Sequence, residues 1–114
     1  MKLNHPTGQQ TEDAALAYLK KKGLQLIERN WHCAFGEIDL VMRQGDIYVF
    51  VEVKYRKNNQ FGGSMYSISD AKCAKLTKTI ELYLQTKRIQ APCRVDAWLL
   101  QGQNEPVWLQ NILG

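Results

Sequence analysis

The feature that most constrains the fold is the apolar run Ile47-Tyr48-Val49-Phe50-Val51 and the charges that follow it at Glu52 and Lys54. A stretch rich in β-branched and aromatic residues with no polar alternation reads as a central strand covered on both faces. Successive strand side chains point to opposite faces, so Glu52 and Lys54 share a face with Tyr48 and Phe50, while Ile47, Val49, Val51 and Val53 line the other. Upstream, Gly36-Glu37-Ile38-Asp39-Leu40-Val41 is a second apolar strand carrying its own acids. A two-residue turn at Gly45-Asp46, with Gly where positive φ is needed, pairs Gln44 with Ile47. That register puts Asp39 opposite Glu52 and Glu37 opposite Lys54 on one face, with facing Cβ atoms about 4.5 to 5.5 Å apart. Facing carboxylates in a sparsely solvated cleft cost several kcal/mol unless a positive charge lies between them. A divalent cation is the natural candidate; the alternative is a solvated face of ordinary ion pairs.

The remainder of the chain fits around this hairpin. A helix is expected over Gly8–Lys22, capped by Thr7 and stopped by Gly23. Strands follow at Leu24–Trp31, Glu37–Met42 and Ile47–Tyr55. A polar, glycine-containing loop covers Arg56–Ser67, and Ser69 caps a second helix reaching about Arg88, with Cys73, Leu76, Ile80, Tyr83 and Leu84 on its apolar stripe. Cys93–Leu100 and Val107–Leu113 close the order αβββαββ, an α+β or mixed α/β sandwich. The 114 residues suffice for a single domain spanning 1–114. Fifteen Lys and Arg against eleven Asp and Glu give a net charge of +4, which permits polyanion binding without requiring it. Three cysteines in strand or helix positions suggest no disulfide framework. With no run long enough to span a membrane, a cytoplasmic protein is expected.

Other residues bear on chemistry. Glu12, Ala15, Leu16 and Leu19 follow helical i, i+3, i+4, i+7 spacing, which places Glu12 on the core-facing stripe, although a first-turn Glu also serves the helix dipole. Lys72, Lys75 and Lys78 recur at three-residue steps clear of the apolar stripe, as a solvated face or a phosphate-tracking ridge. Glu37 is expected to pair with Lys54, and Asp96 to form a structural ion pair on the strand it shares with Arg94 and Trp98. His32 beside Cys33 lacks the paired spacing of zinc ligands. No phosphate-binding glycine loop and no nucleophile elbow occur.

Asp39 followed by Glu52-Val53-Lys54 resembles the PD-(D/E)xK nuclease signature shared by restriction-type endonucleases and archaeal Holliday junction resolvases, with Ile38 where the signature has Pro. An acid on the first helix is similar to the resolvase version. The ordered set Gly8 with Glu12, Gly36-Glu37-Ile38-Asp39-Leu40-Val41, Val51-Glu52-Val53-Lys54, Phe61-Gly62-Gly63 and Arg94-Val95-Asp96 resembles the bacterial YraN family over nearly the whole chain.

The resemblance implies a restriction-endonuclease-like core and a Mg²⁺- or Mn²⁺-dependent nuclease with Asp39, Glu52, Lys54 and Glu12 as its catalytic set. Asp39, Glu52 and the Val53 carbonyl would bind the metal, and Lys54 would orient water or stabilise the transition state. Lys72, Lys75 and Lys78 would contact nucleic acid, DNA before RNA, and resolvase-like relatives imply a homodimer. A module of the same fold that binds nucleic acid without turnover, within a larger complex, is the alternative.

Overall fold

The computed structural model describes residues 7–56 and 68–114. Helix α1 spans Gly8–Lys21 and opens with a capping box, in which the Thr7 hydroxyl accepts from the Gln10 amide and the Gln10 side chain accepts from the Thr7 amide. Three strands follow, β1 (Gln25–Cys33), β2 (Gly36–Gln44) and β3 (Ile47–Arg56). Helix α2 covers Asp70–Lys87, capped by Ser69 and ended by Arg88 in the left-handed conformation. Strands β4 (Cys93–Gln101) and β5 (Val107–Leu109) complete the order αβββαββ. Of the expected Arg56–Ser67 loop, Arg56 instead ends β3, and residues 57–67, with the Phe61-Gly62-Gly63 element, lie outside the described residues. Among those residues no helix is long and apolar enough to cross a membrane.

The sheet runs β1-β2-β3-β4-β5. All neighbours are antiparallel except β3 and β4, which run parallel from Tyr48↔Cys93 to Arg56↔Gln101. A parallel pair needs a long crossover, and α2 lies within it. Gly45 at φ 60° makes the tight turn, and pairing runs from Gln44↔Ile47 to Leu40↔Val51 as the turn chemistry requires. Each face is covered by a helix. Ala15 and Leu19 of α1 pack with Leu40, Met42, Val49, Val51 and Trp98, while Ile80 and Tyr83 of α2 pack with Ile38, Val41, Phe50 and Val95. Val49, Phe50 and Val51 are all buried, so β3 has two dry faces.

Besides the register shift between Leu26 and Glu28 on β1, the pleat is broken at a second place. Ile38 and Leu40 should share a face, yet Ile38 packs under α2 and Leu40 under α1. On β1, Arg29 likewise reaches α1 while Trp31 stacks edge-on against Tyr83 of α2. Between Arg29↔Leu40 and Trp31↔Ile38 stand Asn30, at φ 54°, and Asp39. Asn tolerates the left-handed region better than most residues, and one such residue in a strand turns the following side chains to the opposite face.

The closing strand is shorter than the expected Val107–Leu113, because Asn111 adopts φ 57° and turns the chain off the sheet edge. Its amide donates to Asp96 Oδ1 at 2.9 Å, and the Ile112 amide donates to the Val95 carbonyl. Asp96, with no exposed surface, also accepts from Arg94 Nε at 3.0 Å and Trp108 Nε1 at 3.0 Å. The expected ion pair with Arg94 is present on the strand that Asp96 shares with Trp98, and the indole that donates to Asp96 is that of Trp108. A buried carboxylate with this many donors anchors the C-terminal segment to β4. Asp96→Ala leaves Arg94 uncompensated and is expected to cost about 3–5 kcal/mol, read as a lowered urea midpoint; a midpoint within error of wild type would show that the network does not hold the segment.

Candidate active site

At Leu40↔Val51 the β2–β3 ladder stops, and the next β3 amide facing β2 finds a side chain in place of a strand. Val53 N–H donates to Asp39 Oδ2 at 2.9 Å. In an antiparallel ladder a residue's N–H and C=O turn toward the same neighbour, so the Val53 carbonyl also faces the β2 side, beside Asp39. Burial raises the Asp39 pKa most; the Val53 amide opposes that shift, and the charges of Glu37, Glu12 and Glu52 add to it. Four acids thus act on one another at the end of a hairpin. The register expected to set Asp39 opposite Glu52 ends at Leu40↔Val51, so the two are not paired across the ladder, although both border one cleft.

Glu52 is held by cations. Its side chain is only 11% exposed, and Oε1 meets Lys54 Nζ at 3.2 Å and also Lys72 Nζ. Lys54 follows two positions on along β3 and shares the Glu52 face, whereas Lys72 comes from the first turn of α2. Burial, followed by the neighbouring Lys72, lowers the Lys54 pKa, and Glu52 pulls the other way. These groups line a cleft of about 340 Å³ between β2, β3 and α2, with Lys75, Leu76, Thr79 and Phe50 completing its walls. The hairpin tip closes one end: a Cβ at Gly36, whose φ is 155°, would stand 3.3 Å from Thr79 Oγ1.

The lysines expected along α2 fan around one side of the helix rather than following a single line. Lys72 and Lys75 line the cleft, while Lys78 lies over the Phe35 ring, 5.6 Å from its centroid. Three-residue steps on a 3.6-residue helix rotate by about 60° each, so six residues carry a side chain about a third of the way round. Lys72 instead continues the stripe of Leu76 and Ile80 at four-residue steps. That spacing was the signal in the sequence for its place against the sheet.

Glu12 is buried, 8% exposed, on the opposite side of the sheet. Arg29 Nε and Nη2 and Asn30 Nδ2 donate to its Oε1 at 2.9, 2.7 and 3.1 Å. With Asp39, Glu37, Asn30 and Val53 it borders a second recess. Asp39 and Glu37 therefore lie between the two recesses. Nothing local in the sequence pairs Arg29 and Asn30 with a helix residue 17 and 18 positions away. Glu37 does not meet Lys54; it pairs with His32 Nδ1 at 3.1 Å across β1 and β2, because the broken pleat turns Ile38 into the α2 core and leaves Glu37 at the surface.

Among the described residues no three His, Cys, Asp or Glu side chains converge on a metal-sized point. What the site offers is two carboxylates, Asp39 and Glu52, and the Val53 carbonyl, all hard oxygen donors. Such a set suits Mg²⁺ or Mn²⁺, since Mg²⁺ keeps several waters and takes one or two protein carboxylates. It suits no thiolate-seeking metal, and Cys33, Cys73 and Cys93 are free.

Two helices on a five-stranded mixed sheet, with the acids at the diverging ends of β2 and β3, form a restriction-endonuclease-like fold. The solved structure of Archaeoglobus fulgidus Hjc, described as a Holliday junction resolvase from an archaeal hyperthermophile, shares that fold with a TM-score of 0.59. The match covers 90% of this chain and 76% of that one at 19% identity. The chain belongs to the uncharacterised protein family UPF0102, the YraN family, whose model matches residues 11–100. A relative from Neisseria meningitidis serogroup C is 56% identical over the whole of both chains, and one from Shewanella loihica is 48% identical over 91% of this chain and 90% of its own.

The Asp39 environment fixes a pH dependence. A carboxyl whose folded pKa lies above its unfolded value binds more protons folded than unfolded, so stability falls as pH rises from the unfolded pKa through the folded one. The penalty is fully present wherever the pH lies above the folded pKa. Asp39→Asn keeps an acceptor for the Val53 amide and removes the charge, so it is expected to unfold at higher urea than wild type at neutral pH. The gap should close as the solution is acidified into the ordinary carboxylate range; a gap independent of pH would assign the gain to something other than ionisation.

Proposed function

We propose that this protein is a divalent-metal-dependent nuclease that hydrolyses phosphodiester bonds in branched or otherwise structured nucleic acid, DNA in preference to RNA. The observation that carries the reading is the meeting of Asp39, Glu52, Lys54 and Lys72 in one cleft where β2 and β3 part. The fold shared with a protein described as a Holliday junction resolvase supports it by analogy. Asp39, Glu52 and the Val53 carbonyl hold Mg²⁺ or Mn²⁺. When bound, such a cation supplies an acidified water and neutralises charge at the phosphate.

The chain's own residues do the rest. Lys54, poised beside Glu52, orients the attacking water and stabilises charge on the phosphoryl oxygens. Lys72 and Lys75 draw the phosphate into the cleft, and Lys72 leaves Glu52 for the incoming anion. Glu12, fixed by Arg29 and Asn30, acts as a positioning acid that adds its field to Asp39 from the α1 side. A branched substrate presents two strands to be cut, which this reading meets with a homodimer.

One observation favours a second reading. Glu52 is already neutralised by two ammonium groups, as in a module that binds nucleic acid within a larger complex without turnover. A cleavage screen over linear, flapped and four-way DNA and structured RNA, with Mg²⁺ and Mn²⁺, separates the two. Cutting by wild type and none by Asp39→Asn is expected; binding without cutting of any substrate would install the second reading. Lys54→Met is expected to lower turnover by about 3 kcal/mol with little change in affinity.

Metal binding has its own readout. Mn²⁺ at a hundredfold excess over Kd should stabilise the fold by about 2.7 kcal/mol, seen as a raised Tm that Glu52→Gln loses. Lys72→Met removes a competing cation and is expected to tighten Mn²⁺ binding in calorimetry; equal affinities would show that Lys72 does not compete for Glu52.

A further inference from the structure

Phe35 occupies a position that folding alone does not explain. It forms, with Ala34, the two-residue turn between the paired Cys33 and Gly36. Such turns favour Gly, Asn or Asp, and a large aromatic there gains little burial. Phe35 is 46% exposed, among the most exposed large apolar side chains described. It nevertheless borders the same cleft as Asp39, Glu52, Lys54, Lys72 and Lys75. Lys78 approaches its ring from α2.

Along α2 the cleft changes character. Lys72 meets Glu52 at the acid end, Lys75 and Leu76 follow, and Lys78 reaches Phe35 at the other. Six residues of helix rise about 9 Å, within the reach of one nucleotide from its phosphate to its base. A cleft of about 340 Å³ is at the small end of ligand sites, which run from about 300 to 1,000 Å³. It has room for a nucleotide and none for a duplex.

We propose that Phe35 is a stacking platform for one unpaired nucleobase, held beside the phosphate that Lys72 and Lys75 draw into the cleft. The inference rests on the nuclease reading and gives it a substrate class: strands whose base at the cut is already unstacked, as at a flap, a branch point or a single-stranded end. Every base has a π-face, so the platform selects by pairing state rather than by sequence. Lys78 over the ring and Lys75 beside it supply positive charge for the flanking phosphates.

The test measures binding apart from catalysis. Asp39→Asn in EDTA removes one charge that repels phosphate and prevents hydrolysis. It is titrated with a flapped duplex carrying 2-aminopurine at the first unpaired position, and with the same duplex abasic there. Quenched fluorescence is expected, with affinity for the base-containing strand about tenfold higher. Adding Phe35→Ala should abolish both the quenching and the preference, whereas Phe35→Trp should keep them. Because Phe35 is half-exposed, unchanged melting temperatures are expected to exclude misfolding. Equal affinity for the base and abasic strands, or a preference that survives Phe35→Ala, overturns the platform alone. Failure to bind any oligonucleotide overturns the nucleic-acid reading beneath it.

Discussion

The hydrogen bond from the Val53 amide to Asp39 determines the character of this molecule, because it stands where a backbone ladder would otherwise continue. A β-hairpin that kept its pairing past Leu40↔Val51 would seal the region with main-chain bonds. Here a carboxylate takes the amide, the strands part, and a carbonyl is left beside two acids. A backbone donor satisfied by a side chain costs little, since a charge-assisted bond replaces a neutral one. What costs is the burial of the acid itself, and the raised Asp39 pKa expresses it.

The surrounding charges are arranged to contain that cost without cancelling it. Glu12 is neutralised by Arg29, and Glu52 by Lys54 and Lys72. Asp39 receives one amide and no cation among its described hydrogen bonds. Asp39 lies between the two recesses. The αL conformation of Asn30 is part of the same arrangement, since it directs Arg29 to the α1 side and Trp31 to the α2 side of the strand next to Asp39. Backbone strain at functional positions is tolerated where the surrounding packing over-determines it.

Rigidity comes from the other half of the sheet. β3 pairs with β4 from Tyr48 to Arg56, so Glu52 and Lys54 sit on the central, doubly covered strand. β4 is tied in turn through Asp96 to Arg94, Trp108 and the backbone of Asn111. Site residues on a fixed strand hold their geometry better than residues on loops. Only the α2 contributions, Lys72 and Lys75, approach from a separate layer.

The sequence by itself determined the two helices, the Gly45-Asp46 turn, the Gln44↔Ile47 register and the face shared by Glu52 and Lys54. Each of these follows from local periodicity, turn chemistry or capping. It also marked Asp39 and Glu52 as a pair, because a hairpin register is fixed by its turn. Contacts between elements were decided only in the tertiary structure. Arg29 and Asn30 on Glu12, Lys72 on Glu52 and Trp108 on Asp96 join residues far apart in sequence, and no short-range rule encodes them. The reversal of Ile38 against Leu40 has the same origin: strict alternation assigns both to one face, and the left-handed Asn30 on the neighbouring strand, with the packing of Trp31 and Ile38 against α2, overrides it.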